Sequence, residues 1–382
     1  MKTTTTTQTG LKILIIGAGY AGLATVIHLR KRLPSAHITV VDQQAAHTIL
    51  TRLHHTAQHP LADIQLPLQE LATRFDFTFV QHAVSFDASQ LLAWQHNQYV
   101  QLEDQKIEFD YLVIATGAPL VAQTKASSGY DLAGLSQHCL ATLLKKLMAN
   151  YANEALAINI IGAGPTGIQF AFAIEQVLSR CQIAYQLNLF DSQAQLLEPF
   201  PATMVRYVEQ RLAEKKITVF PQHYFKGEQG TDLVFDDNAS DSITVQRSDL
   251  SLFFLGKKDV YPLQANSSGQ VLIQGQVLTH VFTAGDCSHY VDLGANAKTS
   301  QNALRKGKAV ARNILKEAGL VPFCLPYMHQ EVGYILSIGA DDAVGWLGNK
   351  HIIVKGLPAM MAKEMIEAQY DLLLKGIDCS LF

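Results

Sequence analysis

Two glycine-rich turns are the residues of this chain best suited to chemistry. The first reads Gly17-Ala18-Gly19-Tyr20-Ala21-Gly22 and the second reads Gly162-Ala163-Gly164-Pro165-Thr166-Gly167. In such a turn the first glycine permits a tight bend, the second lets the backbone approach a pyrophosphate, and the third lets a helix pack closely on a strand. The helix N-terminus then offers unpaired N–H groups and a partial positive charge to phosphates. Each turn therefore predicts a site for a dinucleotide.

An acidic residue follows each turn, at the end of the next apolar strand. Asp42 follows the strand 38–41, and Asp191 follows the strand 187–190. Such an acid hydrogen-bonds a ribose, although both lie somewhat beyond the usual interval of about 20 residues from the first glycine. One glycine motif is weak evidence, but strand, turn, helix, strand and acid in this order, twice, is strong evidence. Two dinucleotide sites in one chain indicate electron transfer between two cofactors.

These turns need βαβ units to position them, which predicts parallel sheets with right-handed crossovers. Three further apolar strands are expected to end beside the turns, at Thr116-Gly117, at Gly256 and at Gly285-Asp286. A long helix is predicted over 297–318, stopped by Gly319 and Pro322. The fold class is therefore α/β, with two Rossmann-like domains and a small C-terminal α+β segment.

Composition excludes several other classes of protein. The chain has 382 residues, 48% of them hydrophobic, and a net charge of −3, so neither nucleic acid nor an acidic membrane is indicated as a partner. Five scattered cysteines without CxxC spacing predict no disulfide framework and a reducing, cytoplasmic location. The four histidines His47, His54, His55 and His59 lack the spacing of a metal site, so no metal is expected. The threonine-rich residues 1–9 are expected to be disordered.

The motifs together resemble the two-dinucleotide-binding-domain flavoproteins, and more narrowly the type II NADH dehydrogenases. The resemblance covers residues 12 to about 375 and rests on both glycine turns, on Ala115-Thr116-Gly117 and on Thr283-Ala284-Gly285-Asp286-Cys287. It rests also on the run from Lys298 to Gly307, which is similar to the family's TAQxAxxxG beside the flavin and the quinone channel.

The resemblance implies FAD and NADH as cofactors and assigns residues to each. FAD would lie at the first turn, with Asp42 at its adenosine ribose, Asp286 at its ribityl chain, and Thr116, Gly117 and Gly285 beside it. NADH would lie at the second turn and near Gly256. There a carboxylate, Asp191, with no arginine close behind it, favours NADH over NADPH. Hydride would pass from NADH to the flavin, and electrons then to a small acceptor, most plausibly a quinone. Ser300 and Gln301 would border the flavin, and Gln301 could hydrogen-bond the quinone.

The resemblance implies three domains: a FAD-binding domain over 1–121 and 270–322, an inserted NADH-binding domain over 122–269, and a C-terminal domain over 323–382. Residues 123–129 are expected to form a crossing between domains. The sequence departs from the family at Gln169, where a glutamate near the nicotinamide and the quinone path is usual, and at Ser300, where alanine is usual. Gln169 and Gln301 are the candidate catalytic residues. The loss of the glutamate charge leaves the usual handling of protons open.

The C-terminal segment is predicted to end in a helix with the apolar stripe Leu357, Met361, Met365, Ala368 and Leu372, which is more typical of core or a subunit contact than of a cofactor site. Peripheral contact with the inner face of the cell membrane, or a homodimer, would use this domain. The basic residues of the helix 297–318, Lys306 among them, are expected to form a solvated face, although a cation near the flavin would stabilise its reduced ring.

Three other functions remain open from the sequence. A reductase of the same architecture could pass electrons to a redox partner protein. A chain that holds both nucleotides without turnover could act as a redox sensor, for which Gln169 is the only support. A sulfide:quinone oxidoreductase is disfavoured, because the cysteine pair that it needs beside the flavin has no evident match.

Overall fold

The computed structural model describes residues 10–103, 105–118, 129–150, 155–256 and 262–378. The tail 1–9, most of the crossing expected over 123–129, and the expected domain limit at 121/122 lie outside these residues.

The first part of the chain, up to residue 118, begins with the predicted strand, glycine turn, helix and strand. Its strands are β1 (Lys12–Ile16), β2 (His37–Asp42), β3 (Ala46–Thr48), β4 (Gln65–Pro67), β5 (Thr78–Gln81), β6 (Tyr99–Leu102), β7 (Gln105–Glu108) and β8 (Tyr111–Ile114). Its α-helices are α1 (Tyr20–Arg32), α2 (Leu68–Phe75) and α3 (Ala88–Asn97), and two 3₁₀ segments span Leu50–Ala57 and Leu61–Ile64.

The middle part repeats the same order of elements. Its strands are β9 (Gly129–Asp131), β10 (Leu156–Ile161), β11 (Tyr185–Phe190), β12 (Thr218–Phe220), β13 (His223–Gln229), β14 (Asp232–Asp237), β15 (Ser242–Gln246) and β16 (Leu250–Phe253). Its helices are α4 (Leu132–Leu135), α5 (Leu140–Ala149), α6 (Pro165–Arg180) and α7 (Ala202–Glu214). The antiparallel hairpins β13–β15 were not anticipated from the sequence.

The last part returns to the first sheet and then adds a separate small sheet. Its strands are β17 (Leu263–Ala265), β18 (Gln270–Ile273), β19 (Gln276–Thr283), β20 (Ser288–Tyr290), β21 (Gly333–Ser337), β22 (Ala343–Leu347) and β23 (Asn349–Lys355). Its helices are α8 (Ser300–Glu317) and α9 (Leu357–Leu374). Helix α8 begins three residues later than predicted because the Thr299 side chain accepts a hydrogen bond from the Asn302 N–H and caps it.

Two sheets carry the glycine turns. The first has the order β20-β17-β18-β19-β8-β1-β2-β5, with β19, β8, β1, β2 and β5 parallel, and the second has the order β12-β11-β10-β16-β9, all parallel. Because β1 and β10 lie inside their sheets and are buried, their carboxyl ends open into the edges where ligands of such sheets bind. The α/β class with two Rossmann-like units is confirmed. The chain has entered the first sheet by Leu263, while the expected limit of the middle domain, residue 269, stays a prediction.

The C-terminal helix α9 is anchored on the first part of the chain. Arg52 donates to Glu367 at 2.7 Å and to both carboxylate oxygens of Asp371 at 2.9 Å, and Lys363 pairs with Glu367. The opposite side of α9 is exposed: Leu357, Met361 and Met365 are 61%, 67% and 58% accessible. Of the two alternatives expected for this stripe, core is therefore wrong for these three residues, because the other side of α9, with Ala359, Tyr370, Leu373 and Leu374, is the buried one. A subunit contact stays a prediction. No helix in the described ranges is long and apolar enough to cross a membrane.

Candidate functional site

The first glycine turn has the geometry that a bound pyrophosphate needs. Gly17 has φ of +105°, and a Cβ there would overlap the carbonyl of Ala115 at the end of β8. A Cβ at Gly22 would overlap the carbonyl of Gly17, which explains why α1 can lie so close to the turn. At Gly19, by contrast, a Cβ would meet no protein atom within 4 Å. The second glycine therefore leaves open space over the N-terminus of α1.

The second turn repeats this geometry. Gly162 has φ of +107° and faces the carbonyl of Phe254, and Gly167 faces the carbonyl of Gly162. Gly164 has nothing within 4 Å of an added Cβ and precedes Pro165, the first residue of α6. Proline at this position is compatible with the helix because its missing N–H would be unpaired there in any case. Thr166 follows in the same first turn, so the Thr166 and Gly167 N–H groups remain at the helix N-terminus.

The two predicted ribose acids also build the turns, which the sequence did not reveal. The Asp42 carboxylate accepts from the Ala18 N–H at 2.7 Å and from the Gln44 N–H at 2.8 Å. The Asp191 carboxylate accepts from the Ala163 and Gln193 N–H groups, both at 2.8 Å. Each carboxylate oxygen keeps a second lone pair, so a ribose hydroxyl can still bind there.

The remaining predicted FAD-site residues lie on α8, on the Gly285-Asp286 turn and directly after β8. Gly285 has φ of +84°, and a Cβ there would lie 3.0 Å from that of Ala21 in the first turn. Gly307 packs against the Ala21 carbonyl, and Thr25 donates to the Gly307 carbonyl at 3.2 Å. The start of α8, with Ser300 and Gln301 half-buried, is thereby joined to α1 and to the Gly285-Asp286 turn. Thr116 and Gly117 follow β8 beside Gly17, and Gly117 and Gly256 both have positive φ.

Gln169 lies where three parts of the chain meet. Its Nε2 donates to the Ser337 hydroxyl at 2.9 Å, and that hydroxyl is 3.2 Å from His54 Nε2. Gln169 belongs to α6, His54 to the 3₁₀ segment 50–57 and Ser337 to β21. No hydrogen bond joins Gln169 to Gln301, the other predicted catalytic residue, in this structure. Ser337 was missed from the sequence because its partners are more than 160 residues away.

Burial keeps the histidines of this region neutral. Desolvation lowers the pKa of His54 well below its ordinary value, helped by the neighbouring charges of His55 and Lys363. Desolvation, with Lys363 nearby, also lowers the pKa of His55 to about 4. Among the described residues no group of histidine, cysteine and acidic side chains is arranged to hold a metal ion. His54 and His55 belong to the 3₁₀ segment Leu50–Ala57.

His47 connects the first glycine turn to the C-terminal helix. It is buried, hydrogen-bonds the Ala18 backbone, and has its Nε2 2.7 Å from the Tyr370 hydroxyl of α9. Desolvation lowers the pKa of His47 to about 4, so the ring is neutral and has one donor and one acceptor nitrogen for these two partners. The predicted cofactor residue Tyr20 packs against Tyr370, with ring centroids 4.7 Å apart and the ring planes tilted by 35°. The side chain of Tyr20 therefore supports the turn from outside.

Lys306 contradicts the expectation of a solvated basic face on α8. It is only 2% exposed, and its Nζ donates to acceptors on the segment that follows Asp286. The other basic residues of the helix for which an ion pair is recorded, Lys308 and Lys316, are partly exposed and pair with Asp378 and Glu317. Lys306 is buried because α8 packs on β20 and on the segment that carries Tyr327.

These residues fit two dinucleotides. The open space at Gly19 and Gly164 is the cradle that a Cβ would fill, and each lies at a helix N-terminus beside a carboxylate. The two cradles lie on separate parallel sheets, and Gln169 lies on the helix that the second cradle begins. The arrangement offers one cradle to each of two nucleotides.

Solved structures share this fold. The sulfide:quinone oxidoreductase from Aquifex aeolicus matches with a TM-score of 0.78 and 20% identity over 98% of this chain and 94% of that chain. NDH2 from Plasmodium falciparum in complex with NADH matches with a TM-score of 0.76 and 13% identity over 96% of both chains. Identities this low bear on the fold alone and do not separate the two activities.

A sequence relative agrees with the family predicted from the motifs. The type II NADH:quinone oxidoreductase from Staphylococcus aureus strain MSSA476 is 25% identical over 96% of this chain and 96% of its own length. The predicted resemblance to type II NADH dehydrogenases is thereby confirmed. The expectation of an oxidoreductase that uses FAD and NADH is confirmed as well.

The family profile described as pyridine nucleotide-disulphide oxidoreductase matches residues 11–307, which contain both glycine turns and the Gly285-Asp286 turn. This match covers well over half of the chain, and the chain therefore belongs to the pyridine nucleotide-disulphide oxidoreductase family.

Proposed function

We propose that this protein is an NADH:quinone oxidoreductase. The observation that carries the proposal is the pair of equivalent turns with open space at Gly19 and Gly164, together with the name of the Staphylococcus aureus relative. Bound FAD would supply the redox chemistry, taking hydride from NADH and returning two electrons to the quinone.

The chain's own residues bind and orient the two nucleotides. The N-termini of α1 and α6 bind the two pyrophosphates, FAD at Gly17, Gly19 and Gly22 and NADH at Gly162, Gly164 and Gly167. Asp42 and Asp191 hold the riboses with the oxygen lone pairs that the backbone leaves unused. Asp286 holds the ribityl chain, and Gln301 offers its amide to the flavin or the quinone. Positioning of this kind supplies much of the rate acceleration in a transfer between two bound molecules.

Reduction of a quinone also consumes two protons. Gln169 cannot gain or lose one, because an amide does not titrate. The groups at the same junction that can carry a proton are the Ser337 hydroxyl and the neutral ring of His54. We therefore propose a proton relay at the quinone side, in place of the carboxylate that this family usually has at position 169. The neutral His54 ring takes up a proton that enters from solvent on one nitrogen as it releases one from the other, and the Ser337 hydroxyl passes a proton on to the quinone.

The exposed stripe of α9 supports a membrane-facing role. Besides Leu357, Met361 and Met365, the C-terminal segment also exposes Ile352 and Ile377, which are 57% and 51% accessible. Lipid-soluble quinones reach an enzyme from the bilayer. We propose that this face rests on the inner surface of the cell membrane, and that a homodimer through it is the alternative that the test below separates.

Anaerobic reduction is the first test of the function. NADH added to the purified yellow protein should bleach the visible flavin band, and a quinone added afterwards should restore it. Steady-state NADH oxidation with benzoquinones and naphthoquinones, and with ferricyanide as an acceptor that needs no proton, then separates the two halves. His54→Gln should slow the quinone reaction and leave the ferricyanide reaction unchanged.

Three outcomes would overturn parts of the proposal. Bleaching without reoxidation by any quinone would favour reduction of a partner protein. A flavin band that NADH cannot bleach would favour a redox sensor. If the protein sediments as a monomer and Met361→Glu does not weaken its flotation with anionic lipid vesicles, the stripe does not bind the membrane. If the protein is a dimer that Met361→Glu splits, the stripe contacts a second copy of the chain.

A further inference from the structure

Lys306 is a buried charge that the proposed function does not use. Its ammonium Nζ lies 3.1 Å from both the carbonyl and the hydroxyl of Ser288 and 3.0 Å from Asn296 Oδ1. The side chain runs over the ring of Tyr290, with Nζ 4.5 Å from the ring centroid, and Tyr327 lies 5.9 Å away. Within the described part of the chain Lys306 makes no ion pair. Neutral oxygens and aromatic faces therefore compensate its charge.

The number of protons shows that the charged form is the one that fits. The Ser288 hydroxyl already donates to the Gly285 carbonyl at 2.7 Å, so towards Lys306 it can only accept. Asn296 Oδ1 and the Ser288 carbonyl are also acceptors. An ammonium has three N–H donors for these three oxygens, whereas a neutral amine has two and would place its lone pair against an acceptor.

These contacts end on the turn that carries Asp286. Ser288 is tied to Gly285 by its hydroxyl and also by its N–H, at 3.1 Å, and Asp286 lies between them. Asn296 holds both the N–H and the carbonyl of Tyr290, at 3.0 and 2.9 Å. Lys306 on α8 thus connects this helix to β20 and to the loop before α8, next to the Gly285–Ser288 turn. A buried network in which every donor and acceptor is paired holds its parts rigidly.

We propose that Lys306 is a positioning residue of the flavin site, whose buried ammonium fixes the Gly285–Ser288 turn in the place from which Asp286 binds FAD. The inference rests on the proposed function, in which this turn meets the ribityl chain. The family's motif does not require it, since positions between the alanine and the glycine of TAQxAxxxG are unspecified.

The geometry has a consequence at alkaline pH. Burial lowers the pKa of Lys306 to about 8, against the opposing influence of Cys287 and Asp286. Loss of the proton removes one of the three hydrogen bonds and the attraction to the two rings. Burial keeps the pKa of Tyr290 well above its usual value and raises that of Tyr327 to about 12, and it lowers that of His329 to about 4, so these neighbours stay neutral between pH 7 and 9.5. The affinity for FAD should therefore fall over this range. The Cys287 thiol of the same turn is the neighbour that the experiment must control.

The experiment measures the FAD dissociation constant by flavin fluorescence at pH 7 and pH 9.5, and the stability of the apoprotein at both. Lys306→Met should weaken FAD binding at pH 7 at least about tenfold, or about 1.4 kcal/mol, and should show no further alkaline loss. Lys306→Arg keeps a charge that does not titrate, so it should bind FAD within a few-fold of the wild type at both pH values. Lys316→Met on the same helix is the matched control and should behave as the wild type. The alkaline loss should persist in Cys287→Ser.

The inference would be overturned if Lys306→Met bound FAD as tightly as the wild type, whether or not its apoprotein were less stable. It would also be overturned if the alkaline loss of FAD affinity disappeared in Cys287→Ser or persisted in Lys306→Arg. If Lys306→Met does not fold, the pH profile of Lys306→Arg decides the matter alone. A wild-type protein that binds no FAD would instead refute the proposed function, and so the two failures are distinguishable.

Discussion

Replacing Gly164 with alanine tests the central assumption about the two cradles. Gly164 has φ of −68°, which alanine adopts without strain, and its Cβ would meet no protein atom within 4 Å. Alanine is a poorer helix N-cap than glycine by about 0.5–1 kcal/mol, and it restricts the unfolded chain by a similar amount. The free energy of unfolding of the apoprotein should therefore change by less than about 1 kcal/mol.

Binding of NADH should respond strongly to the same methyl group, because it occupies the space that a phosphate needs to reach the α6 N–H groups. A hydrogen bond to a charged group contributes about 1.5–3 kcal/mol. Loss of one such bond raises the dissociation constant about tenfold to a hundredfold, since each 1.4 kcal/mol is a factor of about ten. FAD binding should not change, because its turn lies on the other sheet.

The assay combines urea denaturation of the apoprotein with titrations of NADH and FAD. Gly19→Ala is the mirror variant and should weaken FAD while leaving NADH binding to the apoprotein intact. Gly167→Ala is the structural control: its Cβ overlaps the Gly162 carbonyl, so it should cost about 1–3 kcal/mol of stability or more. Wild-type NADH affinity in Gly164→Ala, or a loss of FAD affinity in that variant, would refute the assignment of the second cradle.

Three further predictions concern the residues around the turns. Tyr370→Phe leaves the buried His47 Nε2 without a partner, so the free energy of unfolding in urea should fall by about 1–3 kcal/mol. A change below about 0.5 kcal/mol would contradict the hydrogen bond between His47 and Tyr370. The pKa of His47 is about 4 in the folded protein and about 6.5 in the unfolded chain, so the unfolded state binds the proton first as the pH falls. The free energy of unfolding should therefore fall by about 1.4 kcal/mol per pH unit between pH 6.5 and 4. Thermal unfolding of His47→Asn should show a shallower acid slope, and an equal slope would argue against burial. Asp191→Ser with Gln193→Arg should raise the ratio of kcat/KM for NADPH to that for NADH, and an unmoved ratio would show that the ribose lies elsewhere.

The sequence identified the parts of the site whose constraints are local. Glycine is required at Gly17, at Gly22 and at their counterparts because a Cβ there would overlap backbone atoms a few residues away or next to the neighbouring strand. The motif alone therefore predicts these positions. The start of α8 was placed within three residues and its end within one. In such cases residue type and spacing contain the geometry.

Long-range packing explains what the sequence could not supply. Lys306 looks like the other basic residues of α8, and only the arrival of Tyr290 and Tyr327 buries it. Met361 and Met365 have helical apolar spacing whether they face core or solvent. The burial of Tyr370, Leu373 and Leu374 and the ion pairs of Arg52 on the other side of α9 leave the two methionines exposed. The contact of Gln169 with Ser337 depends on the approach of α6 and β21, which are far apart in the sequence.

The dual use of Asp191 limits what a change of coenzyme preference can achieve. Its carboxylate holds the Ala163 N–H inside the glycine turn, as Asp42 holds the Ala18 N–H in the first turn. Any substitution that removes the negative charge for the sake of a 2′-phosphate also removes a charged hydrogen bond from the pyrophosphate cradle. The variant should therefore gain in preference for NADPH while losing affinity for both coenzymes. An acid that only bound the adenosine ribose would instead leave unchanged the affinity for a pyrophosphate fragment that lacks this ribose.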